Sequence, residues 1–298
     1  MKVIMYHYVR PYNNELNGNL KYLTVDQFNR QLDYFQKEHG FLSPEEFRNN
    51  FKKKIASNKV ILTFDDGLLD HYKYVFPILK ERGLKGLFFV PSSIFQNNSI
   101  LNVHKIHYLL SKFNSKKIYE DTLLLIKDLK IKLKHDSESE AYKYSVHEQF
   151  ELKVKRLFNY NLNHKDSNQI TDDLFKKYNI SKDVSKQIYL NKNQLTEMFD
   201  DGQIIGSHTI THQILSTLDK KNQIHEIEES FIALSDFYSS NFKIISYPFG
   251  YKFTYDKNTL EILENQKVNY GFIFDNEESQ EFKSYEISRE DCNKFIFK

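Results

Sequence analysis

The chain is punctuated by short apolar runs that do not alternate with polar residues: KVIMY at 2–6, KVILTF at 59–64, GLFFV at 86–90, QIIGS at 203–207, KIISY at 243–247 and YGFIF at 270–274. Each is rich in Val, Ile or Phe and too short for a helix, so each is predicted as a strand. Strands that are apolar on both faces need cover on both sides, which a parallel sheet with crossover helices supplies. Helical patterns lie between the runs. TVDQFNRQLDYFQKEHG places Phe28, Leu32 and Phe35 on one face, with Thr24 as N-cap and Gly40 just past the end. VFPILKERG ends in the same way at Gly83, and NTLEILENQ supplies a later helix. Strand and helix in alternation predict an α/β fold, either a barrel or a doubly wound sheet.

Residues 101 to about 190 break that rhythm. No strand stands out there, whereas Val146, Phe150, Val154, Leu157 and Phe158 form an amphipathic stripe and IYEDTLLLIKDLKIKL reads as a second helix. The expectation is one domain over 1–298, interrupted by a helical insertion at about 101–190. With 42 Lys and Arg against 40 Asp and Glu, scattered rather than clustered, the composition argues against a nucleic-acid partner. Cys292 is the only cysteine, which excludes an intramolecular disulfide. No run reaches transmembrane length, and MKVIMYHYVRPYNN lacks the pattern of a signal peptide, so the expected location is the cytoplasm.

FDDG occurs twice. The first copy follows KVILT directly, so Asp65 and Asp66 leave the C-terminal end of a buried strand, the rim where α/β folds build their sites. One carboxylate there could hold a cation while the other takes a proton from water, or the pair could simply make a turn. The second copy follows a helical pattern that starts at Asn191 and Gln194 and stops at Gly202, so Asp200 and Asp201 read as solvated charge at a helix end. Next comes IIGSHTITH. If the chain turns helical after His208, then His208 and His212 share a face, and Asp66 could complete three ligands of an open Zn²⁺ site. Two other strand ends deliver His7 and the turn Pro248, Phe249, Gly250. His104 and His107 have no strand before them and read as structural or surface residues.

TFDDG, GSHTITH and YPFG, in that order, resemble the polysaccharide deacetylase family with its NodB-homology domain, over roughly 1–100 and 191–298. The resemblance implies an irregular (β/α) barrel and a metal-dependent removal of an N-acetyl group from an amino sugar, nucleotide sugar or glycan precursor. Asp66, His208 and His212 match the metal ligands, with Zn²⁺ foremost and Fe²⁺, Co²⁺ or Ni²⁺ as alternatives. Asp65 matches the general base, and the backbone N–H of Phe249 matches an oxyanion donor. Two features depart from the family pattern. Ser246 stands where many members have the Arg that orients the catalytic Asp, leaving Arg289 as a stand-in or as a surface salt bridge. The late Leu-x-His motif is absent, since the only histidine after His212 is His225, in a polar stretch. The opening YH strand resembles a circularly permuted branch in which an early His is the acid, and His7 matches it. Alternatives are hydrolysis of an O-acetyl ester, a formamide or a cyclic amide, or a non-catalytic carbohydrate-binding protein on the same fold.

Overall fold

The six apolar runs all become strands, and a seventh joins them. In a computed structural model, described for all residues except 14–15, 17, 19, 49–57, 97–98, 134–148, 239–241, 275–282 and 297–298, the strands are as follows. β1 is Lys2–Tyr6, β2 Val9–Arg10, β3 Leu23–Thr24, β4 Val60–Phe64, β5 Leu87–Val90, β6 Ile204–Ser207, β7 Ile244–Ser246, β8 Tyr270–Phe274 and β9 Ile287–Asp291. Strands β1, β4, β5, β6, β7, β8 and β9 pair in that order, all in parallel, and β9 returns to β1 to close a barrel. The short β2 and β3 form a separate two-stranded sheet.

Side chains alternate in and out along each strand. Val3, Ile61, Leu87, Phe89, Ile204, Ile244, Phe272 and Ile287 form one buried cluster to which all seven barrel strands contribute, and this is the barrel interior. On the outer face Phe64 stacks on Tyr6 at 5.1 Å and on Phe88 at 4.7 Å, with Phe28 edge-on to Tyr6. Because every strand is parallel, the residues after Tyr6, Phe64, Val90, Ser207 and Ser246 emerge on the same rim.

The helix Val25–Glu38 starts at Thr24 with a capping box to Gln27, and Gly40 follows it at φ 68°. Strand β4 leads through a turn into a π-helical segment, His71–Val75, that continues as the helix Phe76–Glu81. The chain divides into two compact units: Met1–Tyr12, Tyr22–Asn97 and Lys186–Lys298 in one, Asn13–Lys21 and Asn98–Ser185 in the other. The second unit contains the helices Asn102–Lys112, Ser115–Asp128, Gln149–Arg156 and His164–Lys177. In it Val154, Leu157 and Phe158 are buried, whereas Val146 lies outside the described residues. His104 is buried here, beside the half-buried His107. Among the described residues no helix is long and apolar enough to cross a membrane.

Candidate active site

Asp65 is built into the top of the barrel interior. Its backbone N–H donates to the Tyr6 carbonyl, which ties the β4 exit to the end of β1. Arg289 reaches it from β9: Nη1 donates to Oδ1 at 2.7 Å and Nη2 to Oδ2 at 2.8 Å. The remaining guanidinium donors go to Thr63 Oγ1, Ser246 Oγ and the Ile273 carbonyl, so all five find acceptors. Arg289 is 1% exposed, and Ser246, in the place of the expected arginine, is one of its partners. The surface-salt-bridge reading of Arg289 is therefore corrected: β9 alternates Ile287 and Arg289 inward, which aims a charge into the barrel. Burial pushes the Asp65 carboxyl pKa up, but Arg289 and His208 outweigh it and bring the group down to about 2.

Asp66 follows at φ 79° and Gly67 at 61°, a left-handed pair that swings the second carboxylate away from the first. The left-handed backbone at 67 favours glycine, and a Cβ there would also press on the terminal methyl of Ile94 at 2.6 Å and on Val90 Cγ1 at 3.1 Å. The chain does not turn helical after His208. The segment is a loop in which Thr209 (φ 65°) and His212 (φ 60°) are left-handed, and this turn, not an i to i+4 helical face, brings the imidazoles to a ring separation of 4.8 Å. The left-handed backbone at Thr209 is incompatible with a right-handed helix, and its N–H donates to Ser207 Oγ instead of entering a helical ladder.

Asp66 Oδ1 lies 3.5 Å from Nε2 of both His208 and His212. The three ligand atoms fall within 4.8 Å of one another, and all three side chains are buried. Bonds of about 2.0–2.1 Å to a tetrahedral Zn²⁺ put ligand atoms roughly 3.4 Å apart, close to the 3.5 Å between Asp66 and each imidazole, and the donor set suits such an ion. His208 Nδ1 donates to the Ser246 carbonyl at 2.7 Å, which leaves Nε2 as the lone-pair nitrogen. Burial lowers the His208 pKa, yet Asp65 and Asp66 push it up by more, so the site favours positive charge.

His7 leaves β1 onto the same rim, its side chain 41% exposed and its Nε2 4.0 Å from Asp66 Oδ2. The fully buried His71 donates from Nε2 to the His7 carbonyl at 2.8 Å, and burial drops its pKa to about 4, so the ring is neutral. Beyond it, Arg10 pairs with Asp70 at 2.7 Å, both buried. Phe249, at φ 64° after Pro248, places its ring 5.0 Å from that of His212. One rim therefore gathers Asp65, Asp66, His208, His212, Arg289, His7 and Phe249.

The sequence model of the polysaccharide deacetylase family matches residues 52–125 and 158–271, more than half of the chain. The chain belongs to the polysaccharide deacetylase family. The match enters the helical region at both ends, which the motif resemblance leaves outside the family. Among curated family proteins, the Bacillus subtilis (strain 168) polysaccharide deacetylase homologue YxkH is 32% identical over 92 residues, or 31% of this chain and 32% of YxkH. The matched stretch thus spans about a third of that relative's length. Streptococcus pyogenes deacetylase PplD, solved in complex with acetate, superposes with a TM-score of 0.58 at 19% identity, covering 98% of this chain and 91% of PplD. IcaB from Ammonifex degensii gives 0.52 at 17% identity, covering 97% and 89%. A de-N-acetylase from Aggregatibacter actinomycetemcomitans gives 0.55 at 13% identity, covering 97% and 93%. At these identities the superpositions show the shared fold. Deacetylases of this family are generally metal-dependent, and the Asp66, His208, His212 cluster is a possible site for an ion.

Sequence reading missed β9, because ISRED carries three charges in five residues and has no apolar run. It also missed the support behind the rim from His71, Asp70 and Arg10, which no local pattern announces.

Proposed function

We propose that this chain is a metal-dependent hydrolase that removes an N-acetyl group from an amino sugar of a glycan or glycan precursor. The reading rests on one juxtaposition: a carboxylate and two imidazoles converge at Asp66, His208 and His212, and a second carboxylate, locked by Arg289, lies 3.9 Å from His208 Nε2. Family membership supplies the substrate class. Two imidazole nitrogens and one carboxylate oxygen suit Zn²⁺, and Fe²⁺, Co²⁺ or Ni²⁺ could occupy the same set. Bound there, the ion would supply Lewis acidity, polarising the acetyl carbonyl and making water nucleophilic near neutral pH.

Asp65 serves as the base. Its pKa of about 2 keeps the carboxylate ionised, and the two Arg289 bonds hold it still, so Oδ2 takes a proton from water without reorganising. Arg289 acts through Asp65 and does not touch the substrate. His7, the most exposed of the polar groups here, protonates the leaving amine from Nε2. The turn at Pro248 presents the Phe249 N–H to the oxyanion that forms as the carbonyl carbon becomes tetrahedral.

Acetate release from a panel of N-acetylated glycans and nucleotide sugars, measured beside Asp65→Asn and chelator-treated protein, tests the reading. Release that disappears in both controls is expected. Release that survives both overturns the mechanism.

A further inference from the structure

The loop between His208 and His212 is not held by helical hydrogen bonds, so its shape must be imposed by its neighbours. Thr209 is β-branched yet sits at φ 65°, a conformation such residues adopt only when the surroundings enforce it. The neighbour that does most is Glu226, in the helix Lys220–Ala233, only 4% exposed and without a part in the mechanism above. Its Oε2 accepts the backbone N–H of Ile210 at 3.0 Å and of Thr211 at 2.9 Å. Its Oε1 accepts the Thr211 hydroxyl at 2.5 Å and Gln213 Nε2 at 3.2 Å.

All four donors come from residues 210–213, and two successive amides aimed at one oxygen make a small anion-holding nest. The loop's carbonyls are engaged elsewhere, because Thr209 O and Ile210 O accept from the N–H groups of Ser92 and Ser93 at 3.0 and 3.2 Å. The loop is thus gripped by its amides on one side and by its carbonyls on the other. A buried carboxylate loses its hydration, and four donors replace it only while the loop keeps this one conformation.

We propose that Glu226 is a positioning residue for the metal ligands: acting through the 210–213 backbone, it preforms the arrangement in which His208 and His212 face Asp66 at 3.5 Å. This rests on the reading that those three residues hold a divalent ion. Glu226 touches neither ion nor substrate in this scheme, so its removal should appear first as lost metal affinity.

The test is Zn²⁺ affinity by chelator competition on the full chain, with the visible absorption of the Co²⁺ form as a report on ligand geometry. Glu226→Ala is expected to weaken Zn²⁺ binding about 10–100-fold, as substitutions behind a metal ligand do, and to alter the Co²⁺ spectrum. Glu226→Gln keeps a carbonyl oxygen for the two amides and should fall between Ala and wild type. Glu229→Gln, exposed on the same helix, should bind as wild type does. Thr211→Val removes the hydroxyl, which donates to Glu226 and accepts from Gln213, and covers the case in which the alanine variant does not fold, with a smaller shift in the same direction. Wild-type affinity and spectrum in Glu226→Ala, or in Thr211→Val where the alanine variant is not recovered, overturns the inference. If wild type binds no more Zn²⁺ than Asp66→Asn, the metal reading itself falls and takes this one with it.

Discussion

FDDG at 64–67 and FDDG at 199–202 are the same four letters placed at opposite ends of barrel strands. The first leaves the C-terminal end of β4, and its aspartates are 2% and 4% exposed beside Arg289 and two histidines. The second closes the helix Lys192–Asp200 and leads into the N-terminal end of β6. There Asp200 is exposed, but Asp201 accepts from Lys85 and from Gln203 Nε2, while Gln203 Oε1 accepts the Gly86 N–H at 2.8 Å. Asp201 is therefore more than the solvated charge expected of it: it ties the helix end to the start of β5. A parallel barrel divides its labour by rim, with strand exits gathering reactive groups and strand entries fastening helices to the sheet.

Substitutions can break this contrast, and the largest effect should come from the first copy. Asp65→Asn is expected to lower kcat for acetate release by about a hundred- to ten-thousand-fold, whereas Asp201→Asn should leave kcat within about twofold. Equal losses in the two variants would erase the distinction between the rims. Arg289→Met should follow, since it leaves a buried carboxylate without its counter-ion, at a cost of about 3–5 kcal/mol in chemical denaturation. A stability within 1 kcal/mol of wild type, roughly the scale of a surface pair, would return Arg289 to a minor role.

Acid should act on the first copy's flank. His71, four residues past Gly67, has a folded-state pKa lowered by burial from 6.5 to about 4. A depressed folded pKa means that the unfolded chain binds the extra proton first. The stability is thus fully present above 6.5 and is lost as pH falls through 4, by up to about 3 kcal/mol. His71→Gln, which keeps an N–H donor for the His7 carbonyl, should flatten that part of the curve in pH-dependent denaturation. An unchanged acid limb would locate the titration elsewhere. The smallest effect belongs to the second copy: Asp201→Asn should cost about 1 kcal/mol or less in thermal melts, because Lys85 and Asp201 are partly solvated. A much larger loss would make the helix-to-strand tie a major support of the fold.

Much of this was legible in the residues. Continuous apolar runs announced strands covered on both faces, and capping patterns at Thr24 and Asn191 marked helix starts that form where expected. Motif order pointed to the family and to the residues that meet on the rim. What local pattern did not carry was the shape and surroundings that neighbours distant in sequence impose. His208 and His212 meet through a left-handed turn held by Glu226, whereas the four-residue spacing puts them on one face only if the chain turns helical after His208. From the sequence Arg289 reads either as a stand-in for the family's arginine or as a surface salt bridge, because ISRED has no apolar run, and in the structure its five donors are satisfied by residues from three other segments.

By itself, then, the sequence determined what local interactions decide: six of the seven barrel strands, where helices cap, and which side chains stand at those strand ends. Hydrogen bonding and side-chain periodicity over a few residues suffice for that. Tertiary structure alone decided that β9 closes the barrel, that Arg289 turns inward onto Asp65, and that Asp201 of the second FDDG copy ties a helix end to the start of β5. Those outcomes depend on burial and charge pairing between residues as distant in sequence as Asp65 and Arg289, and such energies exist only once the chain has brought its segments together.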